Sequence, residues 1–132
     1  MNGYLLDTNV ALLSLARPER ISAAARAAIE QGPNVLSAIS YWEVVLKSMK
    51  GKLDVGEPGL WWVDALQQLA ATPLALRPDH VSRLGQLAKV ATLHADPFDR
   101  ILVAQALEEE LDLVSAHREL GGYAGAGLRV VW

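Results

Sequence analysis

Four carboxylates in this chain stand where short apolar runs give way to predicted helices: Asp7, Glu43, Asp96 and Asp99. Asp96-Pro97-Phe98-Asp99-Arg100 leads into Ile101-Leu102-Val103-Ala104-Gln105-Ala106, so Asp96 and Asp99 fall at the first turn of one helix. Each acid has an ordinary structural explanation. Asp96 can be an N-cap with Pro97 at the first helical position and Asp99 favoured by the helix dipole. Ser40-x-x-Glu43 has the form of a capping box, and Asp7 can cap a helix of its own. As a set they have a chemical explanation too. Carboxylates gathered in one cleft cannot all stay ionised unless they share a proton or bind a divalent cation. Oxygen ligands suit Mg²⁺ or Mn²⁺ better than zinc. Such an ion polarises a phosphoryl oxygen and makes hydroxide from bound water, which is the chemistry of phosphodiester hydrolysis.

The elements around these residues decide whether they can meet. Residues 4–6 read as a buried strand and residues 10–16 as a helix stopped by Arg17-Pro18, followed by an Ala-rich helix over 21–31 closed by Gly32-Pro33. A second strand is expected over 34–39. A helix then begins at Ser40-Tyr41-Trp42-Glu43 and ends at Gly51, with Lys47, Lys50 and Lys52 near its end. Further on, the pattern predicts a helix over 60–71, a strand over 73–76 with Pro73 at its start or at a sheet edge, and a helix over 80–91. Residues 92–95 lead to the helix from Pro97 to about Glu109. A strand over 111–115, a helical turn over 117–120, a glycine-rich loop over 121–127 and a strand over 128–131 complete the chain. Strands alternating with helices imply one α/β domain over residues 1–132, with a mainly parallel central sheet of about five strands. In such a sheet, residues following the strands gather at the carboxyl edge, so Asp7, Glu43 and Asp99 can converge.

Composition narrows the functional classes. The 132 residues are 52% hydrophobic, enough for one core, and the formal charge of -3 argues against a broad basic surface for nucleic acid. A metal ion would reconcile an acidic protein with a polyanionic substrate. The absence of cysteine excludes thiolate ligands, disulfides and cysteine nucleophiles. Asp7 interrupts the amino-terminal apolar run before a signal-peptide core forms, and no uncharged run approaches the ~18 residues of a membrane helix. The expected location is the cytoplasm.

Leu5-Leu6-Asp7-Thr8-Asn9, Ser40-x-Trp42-Glu43 with Lys47, and Asp96-Pro97-Phe98-Asp99-Arg100-Ile101-Leu102-Val103-Ala104-Gln105-Ala106 together resemble the three sequence blocks of PIN-domain ribonucleases, especially VapC toxins. The likeness extends over essentially the whole chain, and the last block is the most specific. It implies a PIN-like fold and a Mg²⁺-dependent endoribonuclease, with Mn²⁺ as the other candidate ion. RNA would be cut to leave a 5′-phosphate and a 3′-hydroxyl. It also implies a VapB-type antitoxin as partner and a homodimer or higher toxin-antitoxin assembly. By position, Asp7, Glu43 and Asp99 match the acidic site, with Asp7 and Asp99 holding the metal and Asp96 in support. Lys47 and Arg100 are candidate substrate contacts, and Ser115 is a hydroxyl partner to the site. The family commonly has Thr-x-Asp where this chain has Ser115-Ala116-His117, so His117 stands at a usual acidic position.

Other features carry less. Lys47 lies four residues after Glu43, the spacing of an ordinary helix ion pair. Trp61 and Trp62 cannot both face the core, so one is expected at a dimer or antitoxin surface, where an apolar groove would take an amphipathic partner helix. His80 and His94 read as structural or surface residues, with His94 near enough to Asp96 to reach the cleft. The glycine-rich run precedes a strand and so is not a dinucleotide loop. Two competing functions remain. One is a catalytically impaired PIN-like module that binds RNA or protein. The other is an aspartyl-phosphate phosphotransferase, disfavoured because Asn9 replaces its usual second Asp.

Overall fold

The computed structural model describes residues 2–87 and 96–132. Five strands form an all-parallel sheet: β1 (Tyr4–Leu6), β2 (Asn34–Ser37), β3 (Ala71–Leu74), β4 (Asp112–Val114) and β5 (Val130–Val131), in the order β3-β2-β1-β4-β5. The helices are α1 (Thr8–Ala16), α2 (Ala23–Gln31), α3 (Ala38–Met49), α4 (Pro58–Gln68), α5 (Pro78–Leu87) and α6 (Pro97–Glu108). Two 3₁₀ segments, Pro18–Arg20 and Arg118–Ala126, complete the regular structure of the described residues. This is the α/β architecture expected from the alternation of apolar runs and helical stretches.

The central strands are apolar without alternation because both faces of the sheet are covered. Tyr4, Leu6, Leu36 and Val114 pack on one face with Val10, Val44 and Trp61, whereas Leu5 and Leu113 face the other with Ile39, Leu102, Val103 and Tyr123. Strand order reverses at β1, which pairs with β2 on one side and β4 on the other. The carboxyl ends of β1 and β4 therefore flank a topological switch point, the usual ligand site of an open parallel sheet.

Several boundaries differ from the sequence reading. The β2 strand ends at Ser37, whose hydroxyl accepts from Ile39 N at 3.0 Å, so α3 starts at Ala38 and Ser40 lies inside it. Glu43 is consequently not the end of a capping box, and Ser40 instead accepts a hydrogen bond from Thr8 Oγ1 at 2.9 Å. The third strand begins at Ala71 rather than Pro73, with Pro73 on an edge strand where only one side needs its backbone donors. The glycine-rich stretch is not a loop: Leu120 and Tyr123 are buried beneath it and fold residues 118–126 into 3₁₀ turns. The end of the predicted 80–91 helix, residues 92–95 and His94 lie outside the described residues. Among the described residues no helix is long and apolar enough to cross a membrane.

Candidate functional site

Asp7 is the first residue beyond β1. Its amide donates to Val114 O at 3.1 Å, and its carboxylate caps α1 by accepting from Val10 N at 2.8 Å. The capping function is thus real, but it uses only one oxygen of a side chain aimed at the switch point. Glu43 reaches the same region from α3, where Lys47 pairs with it at 2.7 Å. Asp99 arrives from the first turn of α6, and Asp96 caps that helix, accepting from Phe98 N at 2.8 Å and Asp99 N at 3.2 Å. One cleft of about 210 Å³ is lined by Asp7, Thr8, Asn9, Glu43, Lys47, Asp96, Asp99 and His117.

Of the residues named from sequence, two do not line this cleft. Ser115 is buried just beneath it and hydrogen-bonds the Asp7 carboxylate, while its Oγ accepts from His117 N at 3.1 Å. It orients Asp7 and shapes the turn that carries His117. Arg100 follows Asp99 by one residue, about 100° around the helix, and its Nε is buried with no hydrogen-bond partner among the described residues. Thr8 and Asn9 are cleft residues whose roles sequence reasoning left unassigned. Their adjacency to Asp7 was the available signal, but only the Thr8–Ser40 bond reveals that this turn ties α1 to α3.

The electrostatics are unbalanced. Asp7, Glu43 and Asp99 are all largely buried. Burial raises the Asp7 carboxyl above its usual range, opposed by the Ser115 and Val10 hydrogen bonds and by His117, while Asp99 raises it further. The His117 Nε2 lies 3.9 Å from Asp99 Oδ2 and 3.5 Å from Asn9 Nδ2. Four carboxylates thus share a lining whose basic groups are Lys47 and His117. That donor set suits a hard divalent cation.

A second group of titratable side chains is tighter. Among the described residues, Asp79, His80 and Glu109 are the three whose potential ligand atoms all lie within 4.8 Å of one another. They occupy the opposite end of α6, and Arg77 already neutralises them through contacts with both Asp79 and Glu109. His80 is fully buried, its Nδ1 accepting from Arg77 N at 3.0 Å and its Nε2 meeting Glu109 Oε2 at 2.9 Å. It is a structural histidine.

The two tryptophans do not both enter the core: Trp61 is buried, and Trp62 is half-buried and stacks on Tyr41 with ring centroids 5.1 Å apart. Trp42 is more open than either. It is 54% exposed and meets the edge of Phe98 at 5.1 Å beside the acidic cleft. A separate apolar groove of about 340 Å³ runs between α1 and α4, lined by Leu12, Leu13, Leu53, Val55 and Trp61, with Asp54 and Asp64 also along it.

Comparison with known proteins agrees with this geometry. The sequence matches the PIN domain over residues 4–125. It is 32% identical to Ribonuclease VapC22 of Mycobacterium tuberculosis over 141 aligned positions, covering 100% of both chains. Its fold is similar to that of VapBC2 from Rickettsia felis bound to promoter DNA, with a TM-score of 0.71, 14% identity and 96% of each chain covered. It is also similar to FitAcB from Neisseria gonorrhoeae, with a TM-score of 0.64 and 22% identity over 96% of this chain and 95% of the other. With nearly its whole length matched and a full-length relative at that identity, the chain belongs to the PIN domain family, a family of nucleases.

Proposed function

We propose that residues 1–132 act as one PIN-like domain, a Mg²⁺-dependent endoribonuclease that is the toxin of a VapBC-type pair. The observation that carries this reading is the convergence of Asp7, Glu43 and Asp99 from three separate elements on one cleft at the switch point of the sheet. The relative named Ribonuclease VapC22 and the VapBC assemblies of like fold support it.

Asp7 and Asp99 are the residues to hold the ion. Their oxygen donors fit Mg²⁺ or Mn²⁺, and the burial that disfavours the charged form of Asp7 is the strain a bound cation relieves. The cleft acids do not close three together within 4.8 Å, which suits an ion that keeps part of its water shell. When bound, the ion supplies Lewis acidity toward a phosphoryl oxygen and lowers the pKa of water. The protein's own contribution is orientation. Ser115 and Val10 N fix Asp7, Asp96 fixes the first turn of α6 under Asp99, and Thr8–Ser40 holds α1 against α3 so that Glu43 faces both. Lys47 holds Glu43 and presents the cleft's ammonium to a phosphate of the RNA backbone. Cleavage leaves a 5′-phosphate and a 3′-hydroxyl.

The groove between α1 and α4 suits the apolar face of an antitoxin helix of the VapB type, with basic residues of the partner opposite Asp54 and Asp64. The assembly is a homodimer or a higher toxin-antitoxin complex in the cytoplasm. The test compares RNA cleavage with Mg²⁺ by the purified chain, its Asp7→Asn form and its Asp99→Asn form. Cleavage that EDTA and either substitution abolish supports the reading. Equal, EDTA-insensitive activity in all three overturns it, and RNA binding without cleavage in the presence of Mg²⁺ or Mn²⁺ points to a binding module.

A further inference from the structure

We propose that the exposed indole of Trp42 is a stacking platform for one unpaired base of the RNA, beside the phosphate held in the acidic cleft. The inference rests on the ribonuclease reading above and gives that site a contact for the base. Two aromatic residues each immediately precede an acid of the cleft: Trp42 precedes Glu43 on α3, and Phe98 precedes Asp99 on α6. Consecutive residues of a helix stand about 3.8 Å apart at Cα and point about 100° apart. Each helix therefore turns an acid into the cleft and a ring toward its flank. The two rings meet there edge to face, with centroids 5.1 Å apart, and Phe98 is fixed by its amide, which donates to Asp96 Oδ1 at 2.8 Å. An edge-to-face pair takes up at most one face of the indole. With 54% of Trp42 exposed, ring surface remains for a second π system.

A groove of about 260 Å³ opens from this pair, lined among the described residues by apolar side chains alone, including the exposed Leu76 and Val81. Its occupant has to share the first turn of α6 with the acidic cleft, since Pro97 and Phe98 line the groove while Asp96 and Asp99 line the cleft. A protein partner covering about 800 Å², the area of a stable interface, would spread over the cleft mouth and shut out substrate. The groove suited to an antitoxin helix is the separate one between α1 and α4. A nucleobase fits this place, because its flat faces suit an apolar wall while its own phosphate lies on the cleft side. Stacking also answers the problem of charge. The chain carries a net charge of -3, and the basic groups of the cleft are Lys47 and His117, so affinity for a polyanion needs a contribution that is not Coulombic. Stacking on an aromatic ring supplies one, and because every base has a π face it selects an unpaired nucleotide rather than a sequence.

The test uses the full chain with Mg²⁺ and a short single-stranded RNA that the wild type cleaves, alongside copies with one abasic position at a time and the same RNA annealed to its complement. Wild type is expected to lose about tenfold in kcat/KM when the abasic position flanks the scissile phosphate on one side, and to cleave the duplex at least about tenfold more slowly. Trp42→Ala raises KM for the intact RNA about tenfold, holds kcat within about threefold, and shows no further loss with that abasic RNA. Trp42→Phe, which still stacks, stays within about threefold of wild type, whereas Trp42→Leu, which keeps the apolar bulk, behaves like Trp42→Ala. Abasic and Trp42→Ala losses that add instead of overlapping, or a Trp42→Leu form as good as wild type, overturn the inference. So does a Trp42→Ala form that sediments as a monomer where the wild type is a dimer and loses equally on every RNA, because the groove is then a protein interface. If Asp99→Asn abolishes cleavage while Trp42→Ala leaves KM unchanged, the ribonuclease reading stands and this inference alone fails. If the wild type cleaves no RNA with Mg²⁺ or Mn²⁺, both fail.

Discussion

Helix α6 carries an acidic cluster at each end, and the two clusters are built on opposite principles. At the carboxyl end Glu109 meets Arg77 and His80, Glu108 meets Arg83 at 3.0 Å, and Asp79 meets Arg77 at 3.0 Å. Every acid there has a cationic or hydrogen-bonding partner supplied by α5 or the residue before it. At the amino end, Asp96 and Asp99 join Asp7 and Glu43 around Lys47 and His117, with carboxylates in excess. The compact cluster is the satisfied one. Spatial tightness is therefore a poor guide to a metal site, because a guanidinium draws carboxylates together as a cation does. The better guide is charge that the fold buries and leaves uncompensated, which is the arrangement around Asp7.

Four measurements separate the two ends. The largest effect is on catalysis. Asp99→Asn is expected to lower Mg²⁺-dependent RNA cleavage on the order of 10³-fold, the scale of removing a group that stabilises developing charge, while Glu109→Gln leaves it within about twofold because it never meets the substrate. A larger loss in Glu109→Gln would make the compact cluster the working site. Next in size is stability. His80→Ala removes a fully buried ring, leaves the Arg77 amide without its acceptor and takes one of two partners from Glu109, so urea unfolding of the metal-free chain should show a loss of about 3 kcal/mol. His117→Ala, at the open end, should change it by less than about 0.5 kcal/mol.

Metal linkage comes third. At tenfold excess over its dissociation constant, Mg²⁺ or Mn²⁺ should add about 1.4 kcal/mol to the stability of wild type and of Glu109→Gln, and nothing to Asp99→Asn. Stabilisation that survives in Asp99→Asn and vanishes in Glu109→Gln would reverse the comparison.

The smallest effect is the pH dependence, where the two ends have opposite signs. The Asp7 carboxyl is raised above 3.8, chiefly by burial, so the native state keeps a proton that the unfolded chain has released. Stability contributed there falls as pH rises from about 3.8 through the raised value, and Asp7→Asn, which still caps α1, should flatten that limb. Glu109 is lowered below 4.5, first by the His80 hydrogen bond and then by Arg77. Its contribution is present above 4.5 and is lost as pH falls through the lowered value, so Glu109→Gln should flatten the acid limb instead. Denaturant midpoints of the metal-free proteins between about pH 3 and 7 read both slopes.

Legibility followed the range of the interaction concerned. Strand-helix alternation, Asp96 as a cap with Pro97 behind it, and the Glu43–Lys47 pair were readable because each depends on neighbours within one turn. Ser40 was misread as a cap for the same reason, since the local pattern was valid and the competing partner, Thr8, came from another helix. Arg100 was placed in the site by resemblance, and it is not among the residues that line the cleft. Trp61 and Trp62 were judged as a pair on one helix, whereas Tyr41 of α3 decides where Trp62 goes.

What the sequence by itself determined is the chemistry available: carboxylates after apolar strands and at helix starts, no thiols, and a net negative charge that calls for a cation. Tertiary structure decided which of those carboxylates share a cleft and which are neutralised. The strand order β3-β2-β1-β4-β5 places the ends of β1 and β4 side by side, which brings His117 to Asn9 across 108 residues of chain. Meanwhile α5 and the residue before it pack Arg83, His80 and Arg77 against the far end of α6. Charge compensation in a folded chain depends on distances of a few ångströms between segments remote in sequence, and that is the information only the fold contains.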